Sequence, residues 1–142
     1  MQGPLKIAVD FDGTIVEHKY PEIGKELLFA FDTLKALQKQ KHQLILWTYR
    51  AGKELDEAVE YCRQNGVEFY AVNKSYPEEV FDEEMSSRKI EADIFIDDRN
   101  IGGMYGWGEI YQMINPHENP DHQMEIKSMA GKRSLMGRLL GK

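Results

Sequence analysis

Short apolar runs alternate with stretches of helical periodicity along most of this chain. Lys6 to Val16 reads KIAVDFDGTIV, an apolar run that predicts a first strand and ends in acidic residues. Residues 22 to 41 then place Leu27, Ala30, Phe31, Leu34 and Leu37 at spacings of three and four, which predicts a helix with one buried face and Pro21 at its start. Residues 43 to 49 predict a second strand, and residues 53 to 65 a second helix that Asn65 and Gly66 end. VEFYAV at 67 to 72 and the run at 92 to 96 predict two more strands, and a short helix is expected near 108 to 114. The stretch between those strands, 73 to 92, is mixed and holds Pro77 and an acidic run, so it predicts a loop with one short helix. Strand and helix in alternation predict an α/β fold, a doubly wound three-layer sandwich around a mostly parallel sheet.

The polar residues that carry chemistry sit where the apolar runs stop. Asp10 and Asp12 are two apart, so on an extended chain they face one way and converge at the strand's exit. Gly13 lets the chain turn away there. Taken alone, the segment also reads as an ordinary Asp-rich turn. Thr48 and Arg50 follow the second strand, however, and Asp97 and Asp98 follow the run at 92 to 96. In an open parallel sheet ligands bind outside the carboxyl ends of the strands, so the three groups are expected to share one crevice.

At 142 residues the chain has the size of one domain. Residues 1–115 are expected to form it, with 116–142 as a tail that is flexible or docks as a short helix. No apolar stretch reaches membrane-spanning length and no secretory signal opens the sequence, so a cytoplasmic protein with no membrane partner is expected. Residues 1–115 hold 13 Lys and Arg against 21 Asp and Glu, an acidic body that disfavours non-specific nucleic-acid binding. The lone Cys62 lies at helical spacing with Leu55, Ala58 and Val59 and reads as core. His117 and His122 lack a ligand geometry, His18 and His42 stand alone, and Met104, Tyr105, Trp107 and Tyr111 read as local core more readily than as a site mouth.

In its motifs the chain resembles the haloacid dehalogenase superfamily of phosphohydrolases. Asp10, Phe11, Asp12, Gly13 and Thr14 match the family's first motif, Leu44 to Thr48 the second, and Asp97 with Asp98 the fourth. The resemblance implies a phosphomonoesterase in which Asp10 attacks phosphorus and forms an aspartyl-phosphate, with Asp12 as general acid and then base. It implies Mg²⁺, held by Asp10, the Asp12 backbone carbonyl and Asp97, with Asp98 as an outer or alternative ligand. It gives Thr48 and a lysine to the phosphate oxygens, with backbone N–H donors around Phe11 and Asp12 and with Gly13 and Thr14 among the phosphate-binding residues. Both Lys89 and Lys74 fit the lysine motif, and Lys89 directly precedes the strand of Asp97. Arg50 fits either a grip on phosphate or a surface pair with Glu54 or Asp56.

The slots in which the family carries cap domains span only about residues 13 to 21 and 73 to 88, which resembles the capless branch. An open site suits phosphate on a small or a larger molecule, and a neighbouring subunit of a homo-oligomer is one way to cover it. A phosphotransferase or mutase of the same fold, and a non-catalytic phosphate-binding or interaction protein, are the alternatives. A response-regulator domain fits less well, because VEFYAVNK has no acceptor aspartate at its third strand.

Overall fold

Four parallel strands, β1 (Lys6–Val9), β2 (Gln43–Leu46), β3 (Ala71–Val72) and β4 (Ile94–Ile96), pair in the order β3-β2-β1-β4. The architecture is that of a computed structural model, which describes residues 3–80 and 90–116. Three helices accompany the sheet: α1 (Ala30–Lys39), α2 (Gly52–Gln64) and α3 (Trp107–Ile114). The fold is α/β and Rossmann-like. Among the described residues no helix is long and apolar enough to cross a membrane.

β1 is apolar on both faces because it is central, and a central parallel strand meets packing on either side. Ile7 and Val9 join Leu44 and Leu46 of β2 in one cluster with Phe31, Leu34 and Leu37 of α1, Ala58 and Cys62 of α2, and Trp107 and Ile110 of α3. All three described helices therefore pack on the same face. Ala8 and Ile45 point the other way, into a smaller cluster with Ala71 and Ile90. Cys62 is fully buried, and burial pushes its thiol up to about 12, as a core residue requires. Met104, Tyr105 and Tyr111 pack against the main cluster, and Trp107 is part of it.

The elements follow the expected order, with β2 and β3 shorter than their apolar runs and the start of α1 displaced. α1 begins at Ala30, eight residues after the periodicity suggested. Val16 instead bridges Glu26 in antiparallel fashion, and Glu17 donates its N–H to the Lys25 carbonyl at 2.8 Å. Gly24 permits this close return, since a Cβ there would lie 2.2 Å from the Glu17 carbonyl oxygen. Glu26 then accepts the Phe31 N–H and satisfies one of the open donors of the helix start. Leu27 packs on the core without being helical, which is why the sequence pattern alone ran the helix too far. β3 is shorter than the apolar run VEFYAV, pairing with β2 only at Ile45↔Ala71 and Leu46↔Val72.

Candidate acidic site at the strand ends

Register brings the polar groups together. Val9 pairs with Leu46 on one side and Ile96 on the other, so Asp10, Trp47 and Asp97 emerge side by side one residue later. The Asp10 N–H donates to the Ile96 carbonyl at 3.0 Å and the Trp47 N–H to Val9 at 2.9 Å, which prolongs both pairings to the rim. The sheet leaves β1 in opposite directions toward β2 and β4, and ligands settle in the crevice at such a reversal.

Carboxylate oxygens of Asp10, Asp97 and Asp98 all lie within 4.8 Å of one another. Burial raises the Asp10 carboxyl to about 7; the Phe11 N–H and Thr14 hydroxyl oppose that rise, and the charges of Asp97 and Asp98 add to it. Two like charges about 4 Å apart repel by roughly 4 kcal/mol in the dielectric typical near a protein surface. Three carboxylates held this close therefore need a proton or a cation between them. An all-oxygen donor set suits a hard divalent cation such as Mg²⁺.

The loop after Asp10 builds the cluster. Gly13 has φ +82°, and a Cβ there would stand 2.4 Å from Asp98 Oδ2, so glycine is needed both for the turn and for the approach of Asp98. Thr14 is fully buried. Its hydroxyl accepts the Asp98 N–H at 3.1 Å and lies 3.2 Å from Asp10 Oδ2 and 3.5 Å from Asp98 Oδ1. Its carbonyl accepts the indole N–H of Trp107 at 2.8 Å. Thr14 thus fastens the acids to each other and to α3, and is enclosed rather than open to a phosphate. The Phe11 ring is buried in the core, edge-on to Tyr61.

Asp12 does not join the cluster. Its two oxygens accept Nε–H and Nη2–H of Arg50, each at 2.8 Å. Arg50 is 1% exposed. Its remaining donors reach the carbonyls of Pro21 at 3.1 Å, Glu22 at 2.7 Å and Glu54 at 3.4 Å. A guanidinium has five N–H donors, and all five of these are in use. Neither expectation for Arg50 describes this: it is a buried latch, with no donor left over for a phosphate.

Thr48 lies in the cleft as expected. Its hydroxyl accepts the Arg50 N–H at 3.1 Å, and its own N–H is held by Asn73 Oδ1 at 2.8 Å. The hydroxyl proton is directed by neither bond and is available to an anionic oxygen. Lys74 is exposed and does not line the cleft. Lys89, His117, His122 and the tail from residue 117 lie outside the described residues.

The cleft has a volume of about 480 Å³, within the range of small-molecule sites. Besides the groups above it is lined by Tyr20, Trp47, Tyr49 and Arg99, which the sequence pattern did not single out, and by His18, which it set aside as standing alone. Trp47 and Tyr49 flank Thr48 in WTYR and Arg99 follows Asp98 in DDRN, so their signal was adjacency to motif residues.

A solved structure, that of the conserved protein coded by a locus from Bacteroides thetaiotaomicron, is 57% identical to this chain. The alignment covers 84% of this chain and 97% of that one, with a TM-score of 0.76. The chain belongs to the family of that Bacteroides protein. No family model matches the chain, and no curated protein does.

Proposed function

We propose that the protein is a Mg²⁺-dependent phosphomonoesterase of the haloacid dehalogenase type, with that family's doubly wound, capless core and an aspartyl-phosphate intermediate. The convergence of Asp10, Asp97 and Asp98 at the ends of two adjacent parallel strands carries this reading. Asp10 and Asp97, with the Asp12 backbone carbonyl, would hold the metal, and Asp98 would stand behind them. Bound there, Mg²⁺ offsets the mutual repulsion of carboxylates and phosphate.

An Asp10 oxygen attacks phosphorus, the bond from phosphorus to the leaving oxygen breaks, and Asp12 supplies the proton that oxygen needs. Water then attacks the acyl phosphate, Asp12 takes its proton, and the Asp10 carboxylate is released together with inorganic phosphate. The Thr48 hydroxyl donates to a phosphate oxygen, and Arg99, which forms no ion pair among the described residues, adds a cation to the cleft. The excursion of residues 13–29 closes on itself and is too short for a separate domain.

Phosphate release from an aryl phosphate tests the reading. Activity is expected with Mg²⁺, absent with chelator, and at least about 1,000-fold lower in Asp10→Asn, the scale on which losing an activated nucleophile acts. Wild-type turnover in Asp10→Asn would reject it.

A further inference from the structure

Around the acids the cleft changes character. Its floor is polar, with Thr48, Asp12 and Arg50, whereas its rim is aromatic, with Tyr20, Trp47 and Tyr49. These rings are 54%, 39% and 90% exposed, which is unusual for large apolar surface grouped at one place. Two of them are held in place. Trp47 packs edge-on against Phe95 with centroids 5.1 Å apart, and Tyr20 lies against the immobile Arg50 guanidinium, 5.1 Å from its ring centre. Tyr49 carries Arg99 over its face at 5.4 Å. Fixed aromatic faces and a stacked guanidinium recognise flat π systems.

From this arrangement we infer that the phosphate ester accepted by the cleft is a nucleoside monophosphate, its phosphate at the acids and its base against the Trp47 and Tyr49 rim. The inference rests on the proposed phosphatase reading for the chemistry, but not for the binding. Burial within the lining decides between planar ligands: Thr48 and Asp12 are half-buried and Arg50 buried, whereas the three rings are exposed. An aryl phosphate such as phosphotyrosine sets its ring next to phosphorus, where this cleft offers Thr48 and Asp12. A nucleotide separates base from phosphate by a hydroxyl-bearing sugar, which matches a polar floor below an aromatic rim. The acidic body, with its excess of Asp and Glu over residues 1–115, selects a mononucleotide over a nucleic-acid chain, whose further phosphates it repels.

The test uses the full chain with Mg²⁺ and two readouts. One is quenching of tryptophan fluorescence in Asp10→Asn, which reports binding without turnover and is assigned to Trp47 by its loss in Asp10→Asn with Trp47→Phe; the other is phosphate release by the wild type. The probes are adenosine, guanosine, cytidine and uridine 5′-monophosphates, ribose 5-phosphate, a phosphotyrosine peptide and an aryl phosphate. At least one nucleotide is expected to quench saturably and to bind tighter than ribose 5-phosphate by about 5- to 150-fold, the range of one base–aromatic stack. Tyr49→Ala is expected to bring that ratio close to one. Quenching without hydrolysis of any ester would uphold the nucleotide site and reject the phosphatase. Hydrolysis of the aryl phosphate with no preference for nucleotide over ribose 5-phosphate, or tighter binding of the phosphotyrosine peptide, would overturn the nucleotide inference and leave the phosphatase standing.

Discussion

Asp10 holds the most informative state of any single residue in the chain. Its folded carboxyl titrates near 7, against 3.8 for an ordinary aspartate, so the folded state binds the proton more tightly than the unfolded chain does. Asp10 therefore favours folding fully below about pH 4, and that contribution is lost as pH rises through 7. Without divalent cations, the melting temperature of the wild type is expected to fall between pH 5 and pH 8 by several degrees more than that of Asp10→Asn. Adding Mg²⁺ at pH 8 should close the gap, because the cation takes the proton's place. Parallel curves for the two proteins in thermal scans would mean that neither burial nor the neighbouring acids raise the Asp10 carboxyl. Asp97→Asn and Asp98→Asn are each expected to lower the apparent Asp10 titration only in part, because burial, the larger cause, remains; carboxyl NMR shifts measure this.

At the scale of elements, Arg50 connects parts that the sequence separates. It joins Asp12 after β1, the carbonyls of Pro21 and Glu22 in the return before α1, and Glu54 in the first turn of α2. Lysine has three donors on a point charge and cannot reproduce a planar fork of five. Arg50→Lys is thus expected to cost about 3 kcal/mol in urea unfolding, the scale for breaking a buried ion pair. The loss of phosphate turnover should exceed what that destabilisation explains at temperatures where the variant is folded. An Arg50→Lys protein of wild-type stability would show that the latch is incidental.

The same contacts mark what the sequence makes legible. Apolar runs that stop at Asp10, Thr48 and Asp97 reveal the strand ends, and parallel pairing then places those ends together without any knowledge of side-chain contacts. The Arg50 latch is not legible in this way, because three of its five bonds go to backbone carbonyls, two placed by how residues 17–29 return and one by the first turn of α2. The start of α1 is obscured for a related reason: the return itself packs Leu27, half-buried, against the core, so its spacing from Leu34 imitates a helix. The aromatic rim is hidden because Trp47 and Tyr49 look like ordinary residues at the end of a strand until the cleft gives them a common surface.

For the molecule as a whole, the sheet order supplies a crevice, the Gly13–Thr14 loop and Trp107 of α3 brace its acids, and the aromatic rim closes its upper edge. Shared ancestry with the Bacteroides protein, at 57% identity, makes that protein a second setting for every experiment on these residues. The central claim is that Asp10 becomes covalently phosphorylated. Rapid acid quench during a single turnover, followed by peptide mass spectrometry, tests it most directly. An alkali-labile phosphoryl group is expected on the peptide containing Asp10, formed and lost at rates compatible with turnover, and absent with chelator or in Asp10→Asn. Full turnover with Asp10 unmodified at every time point would contradict the account.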